Sequence, residues 1–289
     1  MKLGVIFPQT EIGTDPAVIK DYAQTAEDLG YDYLLAYDHV LGANPDRPGG
    51  WTGPYTYKSS FHEPFVLFGY LAGLTQKIEL VTGVIILPQR QTALVAKQAA
   101  AVDVLSGGRL RLGVGLGWNK VEFEALGEEF GDRGKRIEEQ VVLLRQLWTN
   151  ELITFNGDNH TITDAGLNPL PVQRPIPIWF GGSADAALRR MARLGDGWLP
   201  IRYLPDDNFK AVLAKLHGYL EEEGRNPKEF DLVPWINMAD HPANEWAKLV
   251  EAWGKLGVTH LGINTMKAGL ASPQAHIEVI KRFKAVVGD

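Results

Sequence analysis

The sequence predicts an α/β fold: a (β/α)8 TIM barrel formed by residues 1–289 as a single domain, with insertions after strands 2 and 4. Three observations carry this reading. Strand-like and helix-like runs alternate from end to end, they make eight pairs, and no shift of composition divides the chain. The connections are also asymmetric. The loops after strands 2 and 4 are long, whereas most helix-to-strand returns are short, roughly two to five residues. A doubly wound sheet of eight strands has the same pattern and stays open as the alternative.

The elements follow in order. "KLGVIF" (2–7) is an apolar run short enough for a fully buried strand. In "TDPAVIKDYAQTAEDLG", Asp15 can cap a helix, Pro16 suits its first turn, Ala23, Ala26 and Leu29 recur at helical spacing, and Gly30 ends it. "YDYLLAY" (31–37) is the second strand, and "EPFVLFGYLAGLT" (63–75) the second helix with Pro64 near its start. "IELVTGVIIL" (78–87) precedes the helix "TALVAKQAAAVDVLSGG", and "RLRLGVGLG" (109–117) precedes the helix at 132–150. "ELITFNGDNHTI" reads as a small hairpin turning at Asn156-Gly157. Strands "IPIWF" (176–180), "GWLPI" (197–201), "FDLVPWINM" (230–238) and "THLGIN" (259–264) each lead into a helix-like run.

Composition narrows the function classes. The net charge is −6, 45% of residues are hydrophobic and 22% charged; the mean hydropathy is −0.12. With Lys and Arg scattered, neither nucleic acid nor an anionic membrane is expected as a partner. There is no cysteine, so thiol catalysis, disulfides and Cys-ligated metals are excluded. No apolar run reaches the roughly 20 residues of a membrane span. "MKLGVIFPQT" lacks a signal-peptide hydrophobic region, so a cytoplasmic protein is expected.

Barrel active sites lie on the face carrying the loops after the strands. Asp38 and His39 fall there, at the end of strand 2, and the loop that follows carries Trp51, Tyr55, Tyr57 and Phe61, enough aromatic surface to wall a pocket. The alternative is that Asp38 caps a turn and His39 is a rim residue. The other histidines are placed as surface or packing residues. Gly83, inside an otherwise β-branched strand, marks a bulge or a packing contact. Gly113, Gly115 and Gly117 strip the end of strand 4 of side chains, so a flat ring or phosphate can come close. Trp118 follows, and because no helix opens at once the run does not read as a dinucleotide loop. Gly181-Gly182-Ser183 comes straight after a strand and opens a helix, which offers N–H groups and the positive dipole end to a phosphate. The alternative is a simple turn with Ser183 as the cap.

These motifs together resemble the bacterial luciferase-like monooxygenase family, and within it the branch that uses coenzyme F420, a 5-deazaflavin. The resemblance spans nearly the whole chain. It rests on "YDHV" after strand 2, on residues 81–127, on the helix "FGDRGKRIEEQVVLLRQLW" (130–148) and on "PLPVQRPIPIWFGGSADAALRRMARLGDGW" (169–198). It implies a (β/α)8 barrel holding a flavin or deazaflavin at its C-terminal mouth, with His39 beside the reacting ring and Asp38 preceding it. It also implies a non-prolyl cis peptide at Gly83-Val84 backing the ring, with Thr82, Gly115 and Gly117 near it and Gly181, Gly182 and Ser183 on the phosphate. The substrate, a small molecule, would stack among His39, Trp118, Trp51 and Tyr55. Asp38 could orient His39 only if the strand has ended, because neighbouring strand residues face opposite ways. Where the family's sugar-phosphate dehydrogenases carry a glutamate after the strand-4 glycines, this sequence has Trp118, so that substrate does not carry over. Family members are commonly homodimers, and the fourth strand and third helix offer apolar surface for an interface.

Three other readings stay open. The first is a monooxygenase of the same family using reduced FMN and oxygen. A metal-dependent barrel hydrolase would want a His-x-His pair on strand 1, which ends "IFPQT" without a ligand, so no metal site is expected. A non-catalytic flavin-binding protein would keep Gly181-Gly182 without needing His39.

Overall fold

The structure, a computed structural model, describes residues 1–288. Eight strands form one curled parallel sheet: β1 (Lys2–Ile6), β2 (Tyr33–Ala36), β3 (Glu79–Thr82, resuming as Ile85–Ile86), β4 (Leu110–Gly115), β5 (Ile178–Gly181), β6 (Gly197–Leu199), β7 (Asp231–Leu232, resuming as Trp235–Asn237) and β8 (His260–Asn264). The order around the curl is sequential, unlike the reversing order of a doubly wound sheet. The two halves of β7 join its ends: Asp231–Leu232 pairs with β6 and Trp235–Asn237 with β8. Across the break, the Val233 N–H donates to Trp198 O at 2.9 Å and the Gly262 N–H to Pro234 O at 2.9 Å.

A helix follows each strand: α1 (Pro16–Asp28), α2 (Pro64–Ala72), α3 (Thr92–Ser106), α4 (Arg133–Thr149), α5 (Asp185–Leu194), α6 (Asp207–Glu222), α7 (Trp246–Lys255) and α8 (Pro273–Val287). Their starts obey the expected chemistry. Asp15, Glu63, Asp206 and Ser272 each accept an N–H of the first turn, and proline occupies the first turn of α1, α2 and α8. Among the described residues no helix is long and apolar enough to cross a membrane.

Strand alternation splits the core into two layers. Val5, Leu34, Leu80 and Ile178 face outward to the helices. Ile6, Tyr33, Leu35, Val81, Trp179 and Leu199 pack inside the curl, with Tyr37, Val84 and Trp235 half-buried against them at the C-terminal mouth.

Four local expectations are corrected. The third strand, expected over 78–87 with a bulge at Gly83, is fully interrupted at Gly83-Val84. The hairpin strands are Ile153–Asn156 and Thr161–Ala165, so the turn is the segment 157–160 rather than Asn156-Gly157. Glu139 of α4 draws the turn in by accepting the N–H groups of Asp158 (2.8 Å) and Asn159 (2.9 Å) and pairing with His160 Nδ1 (2.6 Å). A short helix, Lys120–Ala125, does open directly after the strand-4 glycines, because Asn119 caps it by accepting the Val121 N–H at 3.1 Å. The fourth strand cannot supply a dimer interface. It lies between β3 and β5, and Leu110, Leu112 and Val114 are fully buried.

His260, at the start of β8, packs edge-on between Tyr33 and Trp179. Burial, then the nearby Lys2, Arg111 and N-terminal charges, depress its pKa from 6.5 to about 3, outweighing Asp231 at 3.6 Å. A depressed histidine binds its proton in the unfolded chain first. Stability is therefore full above about pH 6.5 and falls as pH drops toward 3. Asp231, raised by burial, acts in the opposite sense nearer its ordinary value of 3.8, which places the useful test above about pH 5. Urea unfolding of wild type should show a midpoint that declines between about pH 7 and pH 5. His260→Phe should flatten that decline, leaving the part contributed by His217 and His276, whose pKa values are also lowered by burial. An unchanged slope would rule His260 out as its source.

Candidate active site

The end of β2 sends consecutive side chains to opposite sides, and the two carboxylates they meet are different. Asp38 turns outward and is 4% exposed. Its Oδ2 accepts the Ile86 N–H at 3.1 Å and Arg90 Nε at 3.3 Å, and its Oδ1 accepts Arg90 Nη2 at 2.7 Å. Arg90 in turn reaches Glu63 Oε1 at 2.8 Å through Nη1. Burial pushes the Asp38 carboxyl up, opposed by the Arg90 guanidinium and the Ile86 N–H. Asp38 therefore orients the backbone of β3 and the start of α3, not the imidazole of His39.

His39 is oriented by a residue the sequence reading missed. Its Nδ1 lies 3.0 Å from Glu122 Oε1, and the same oxygen accepts the Val40 N–H at 3.0 Å. Glu122, 1% exposed, sits in the first turn of the short helix Lys120–Ala125. Trp118 stands where the sugar-phosphate dehydrogenases carry a glutamate, and a carboxylate reaches His39 from four residues further on. The signal was "NKVE" (119–122): an N-cap Asn followed three residues later by Glu, which marks a helix start.

Aromatic rings enclose the imidazole. Tyr55 and Phe61 lie 4.8 Å from it between centroids, and Trp118 lies 5.8 Å away edge-on. Trp51 does not touch His39 directly. It packs on Trp118 at 5.8 Å and donates Nε1–H to Tyr55 O at 2.7 Å, so it clasps the loop. Trp118 itself is 46% exposed at the rim. A cavity of about 250 Å³ opens here, lined by His39, Val40, Leu41, Tyr55, Tyr57 and Phe61 among others.

The peptide between Gly83 and Val84 is cis, at the bond the resemblance pointed to. Val84 projects inside the mouth and fills space that glycines leave. A Cβ on Gly115 would meet Val84 Cγ2 at 2.5 Å, and one on Gly181 would meet Val84 Cγ1 at 3.3 Å. The bare edge expected at strand 4 is thus filled from within the protein: Val84 covers Gly115, and Ile86 lies 2.5 Å from a Cβ on Gly117. Thr82 is fully buried, its hydroxyl donating to Gly113 O at 2.8 Å, so it braces β4.

Beyond β5, Gly182 takes φ +108°, a conformation that excludes an ordinary side chain, and its carbonyl accepts Trp198 Nε1–H at 2.7 Å. Gly182, Ser183 and Ala184 are exposed ahead of α5, and Ala184, not Ser183, is the N-cap. Asp185 in the first turn is offset by Lys215, Arg189 and the Tyr219 hydroxyl, and hydrogen bonds from Lys215 and Tyr219 lower its pKa to about 2. The turn can therefore present free N–H groups to an anion without a buried competing charge.

Two predictions follow from these contacts. Gly115→Ala should cost about 1–3 kcal/mol in unfolding free energy by overpacking against Val84, and adding Val84→Ala should restore part of it. No recovery in the double variant would show that Val84 is not the obstacle. Asp38→Asn should cost about 2–4 kcal/mol because it strips the carboxylate from half-buried Arg90. Glu122→Gln, which keeps an acceptor oxygen, should cost about 1–2 kcal/mol. Denaturant midpoints giving the reverse ranking would contradict these roles.

Comparison with known proteins places this geometry. The sequence profile of luciferase-like monooxygenases matches residues 1–277. An FMNH2-dependent dimethylsulfone monooxygenase from Pseudomonas putida is 30% identical over 259 residues, 87% of this chain and 67% of the relative. An F420-dependent glucose-6-phosphate dehydrogenase from Microbacterium testaceum is 26% identical over 251 residues, 84% of this chain and 70% of the relative. The solved structure of an F420-dependent secondary alcohol dehydrogenase, in complex with an F420–acetone adduct, superposes with a TM-score of 0.81 at 19% identity, over 100% of this chain and 99% of that one. The chain belongs to the luciferase-like monooxygenase family, whose enzymes include both F420-dependent and FMNH2-dependent members.

Proposed function

We propose that this chain is an oxidoreductase that transfers hydride between coenzyme F420 and a small organic substrate. One observation carries the reading: a histidine at the end of β2, bonded through Nδ1 to a buried carboxylate and walled by Tyr55, Phe61 and Trp118. The mouth fits a flat cofactor. Val84, Tyr37 and Trp235 form an apolar floor, and the exposed backbone of Gly182, Ser183 and Ala184 can receive a phosphate. When bound, the deazaflavin supplies a two-electron hydride centre.

The chain's own residues do the rest. Glu122 Oε1 already accepts the Val40 N–H, so it acts as an acceptor toward His39 and assigns the imidazole proton to Nδ1. Nε2 is then the nitrogen that takes or gives a proton as hydride moves. Tyr55 and Phe61 line the cavity onto which His39 opens, so a substrate placed there meets the imidazole between the rings. Asp38, through Arg90 and Ile86, holds the cofactor-facing bulge in register with His39.

A second reading, reduced FMN with oxygen, is supported by the 30% identity to the Pseudomonas putida monooxygenase. The proposal extends to a homodimer through α2 and α3, whose Val66, Tyr70, Leu94 and Leu105 leave apolar surface exposed.

Parallel fluorescence titrations with coenzyme F420 and FMN test the cofactor. Tighter binding of F420 is expected, and preference for FMN would select the oxygen-using reading. His39→Ala should lower turnover at least about 100-fold while changing cofactor affinity little. Equal loss of both, or none, would remove His39 from the chemistry.

A further inference from the structure

A second and larger cavity, about 500 Å³, opens between the ends of β6 and β7. That volume is within the range of small-molecule sites. It lies on the same face as His39, and Trp235 on its wall tilts against Tyr37, two residues before His39, with 6.4 Å between rings.

Its back wall is aromatic and rigid. Trp253, 1% exposed, packs edge-on against Phe209 at 4.9 Å, and Phe209 stacks on Trp198 at 5.6 Å with an interplanar angle of 5°. Tyr203 closes onto both Trp198 and Phe209 at 5.6 Å. The buried rings of Trp198, Phe209 and Trp253 back Tyr203, and the half-buried Tyr203 and Trp235 are the rings left to offer flat contact at little entropic cost on binding.

The polar groups favour an anion. Arg202 lines the cavity and is exposed, and among the described residues no carboxylate lies within ion-pair distance of it. Arg90, Arg111 and Arg136, by contrast, each hold a carboxylate of the protein. Arg202 also takes φ +62°, a conformation that non-glycine residues seldom adopt and that concentrates at functional positions. Asn237 Oδ1 accepts from Asn264 at 3.1 Å, which leaves its amide N–H groups without a partner among the described residues. Asp240, also on the lining, is exposed and disfavours a second negative group on its side. Burial raises the Tyr55 phenol while the Arg202 charge lowers it, so Arg202 stands near the ring that borders the His39 cavity.

We propose that this cavity is the substrate compartment, and that it takes a planar organic acid with its ring against Trp235 and Tyr203 and its carboxylate on Arg202. A guanidinium binds a carboxylate through two parallel hydrogen bonds, which an uncharged amide cannot match. Naming the acid as substrate rests on the oxidoreductase reading; its binding does not.

The test uses the full chain without cofactor, titrated with 1-naphthoate and with 1-naphthamide by isothermal calorimetry. Naphthoate should bind at least about tenfold more tightly than naphthamide, and Arg202→Gln, an exposed substitution, should erase the difference while leaving naphthamide binding unchanged. Equal affinities in wild type, or a preference that survives in Arg202→Gln, would overturn the proposal. The naphthoate titration is then repeated with whichever of coenzyme F420 or FMN binds, at saturation. Retained binding is expected of a substrate compartment. Displacement would assign Arg202 to an anionic part of the cofactor and overturn the substrate assignment, while leaving the cofactor result standing.

Discussion

The carboxylate of Asp38 is the contact from which the mouth of this barrel is built. It is taken out of water at the end of β2, where an isolated charge would be expensive, and it is satisfied by Arg90 and the Ile86 N–H. Those two partners lie on either side of the turn Leu87–Gln89, between the second segment of β3 and α3. One acid therefore fixes where β3 resumes after its break and how α3 departs. Arg90 extends the tie to Glu63, the N-cap of α2. Because the pair is buried, screening by salt does little to loosen it.

Everything nearer the candidate chemistry takes its place from that frame. The break in β3 puts Val84 inside the mouth, and Gly115 and Gly181 leave the room it needs. His39, one residue beyond Asp38, faces the other way and meets Glu122. Two adjacent side chains thus have two separate acids for partners, one bracing the scaffold and one fixing an imidazole. The division is set where the chain leaves β2, which ends at Ala36, and by the two separate acceptors it meets there.

The exposed turn of Gly182, Ser183 and Ala184 after β5 and the floor of Val84, Tyr37 and Trp235 have the shape and the free backbone that a flat, phosphorylated redox cofactor would need. This agrees with a family in which F420 and FMNH2 both serve. Around that floor stand mouth loops, the aromatic segment 51–61 and the Arg202 turn. Loops on a rigid barrel can change without disturbing the strands that hold them.

The sequence by itself determined the periodic features. Eight strand–helix pairs, the caps at Asp15 and Pro16, the position of His39 on the mouth and the interruption at Gly83 were all legible, because each depends on a few neighbouring residues. The tertiary structure alone decided which groups meet across the chain. Glu122 reaches His39 over 83 residues of sequence and Arg90 reaches Asp38 over 52. Val84 covers the glycines that looked bare, and Arg202 comes near Tyr55 from a different loop. Such partners are chosen by the closure of the sheet, which brings distant strand ends to one rim, and no local pattern encodes that distance.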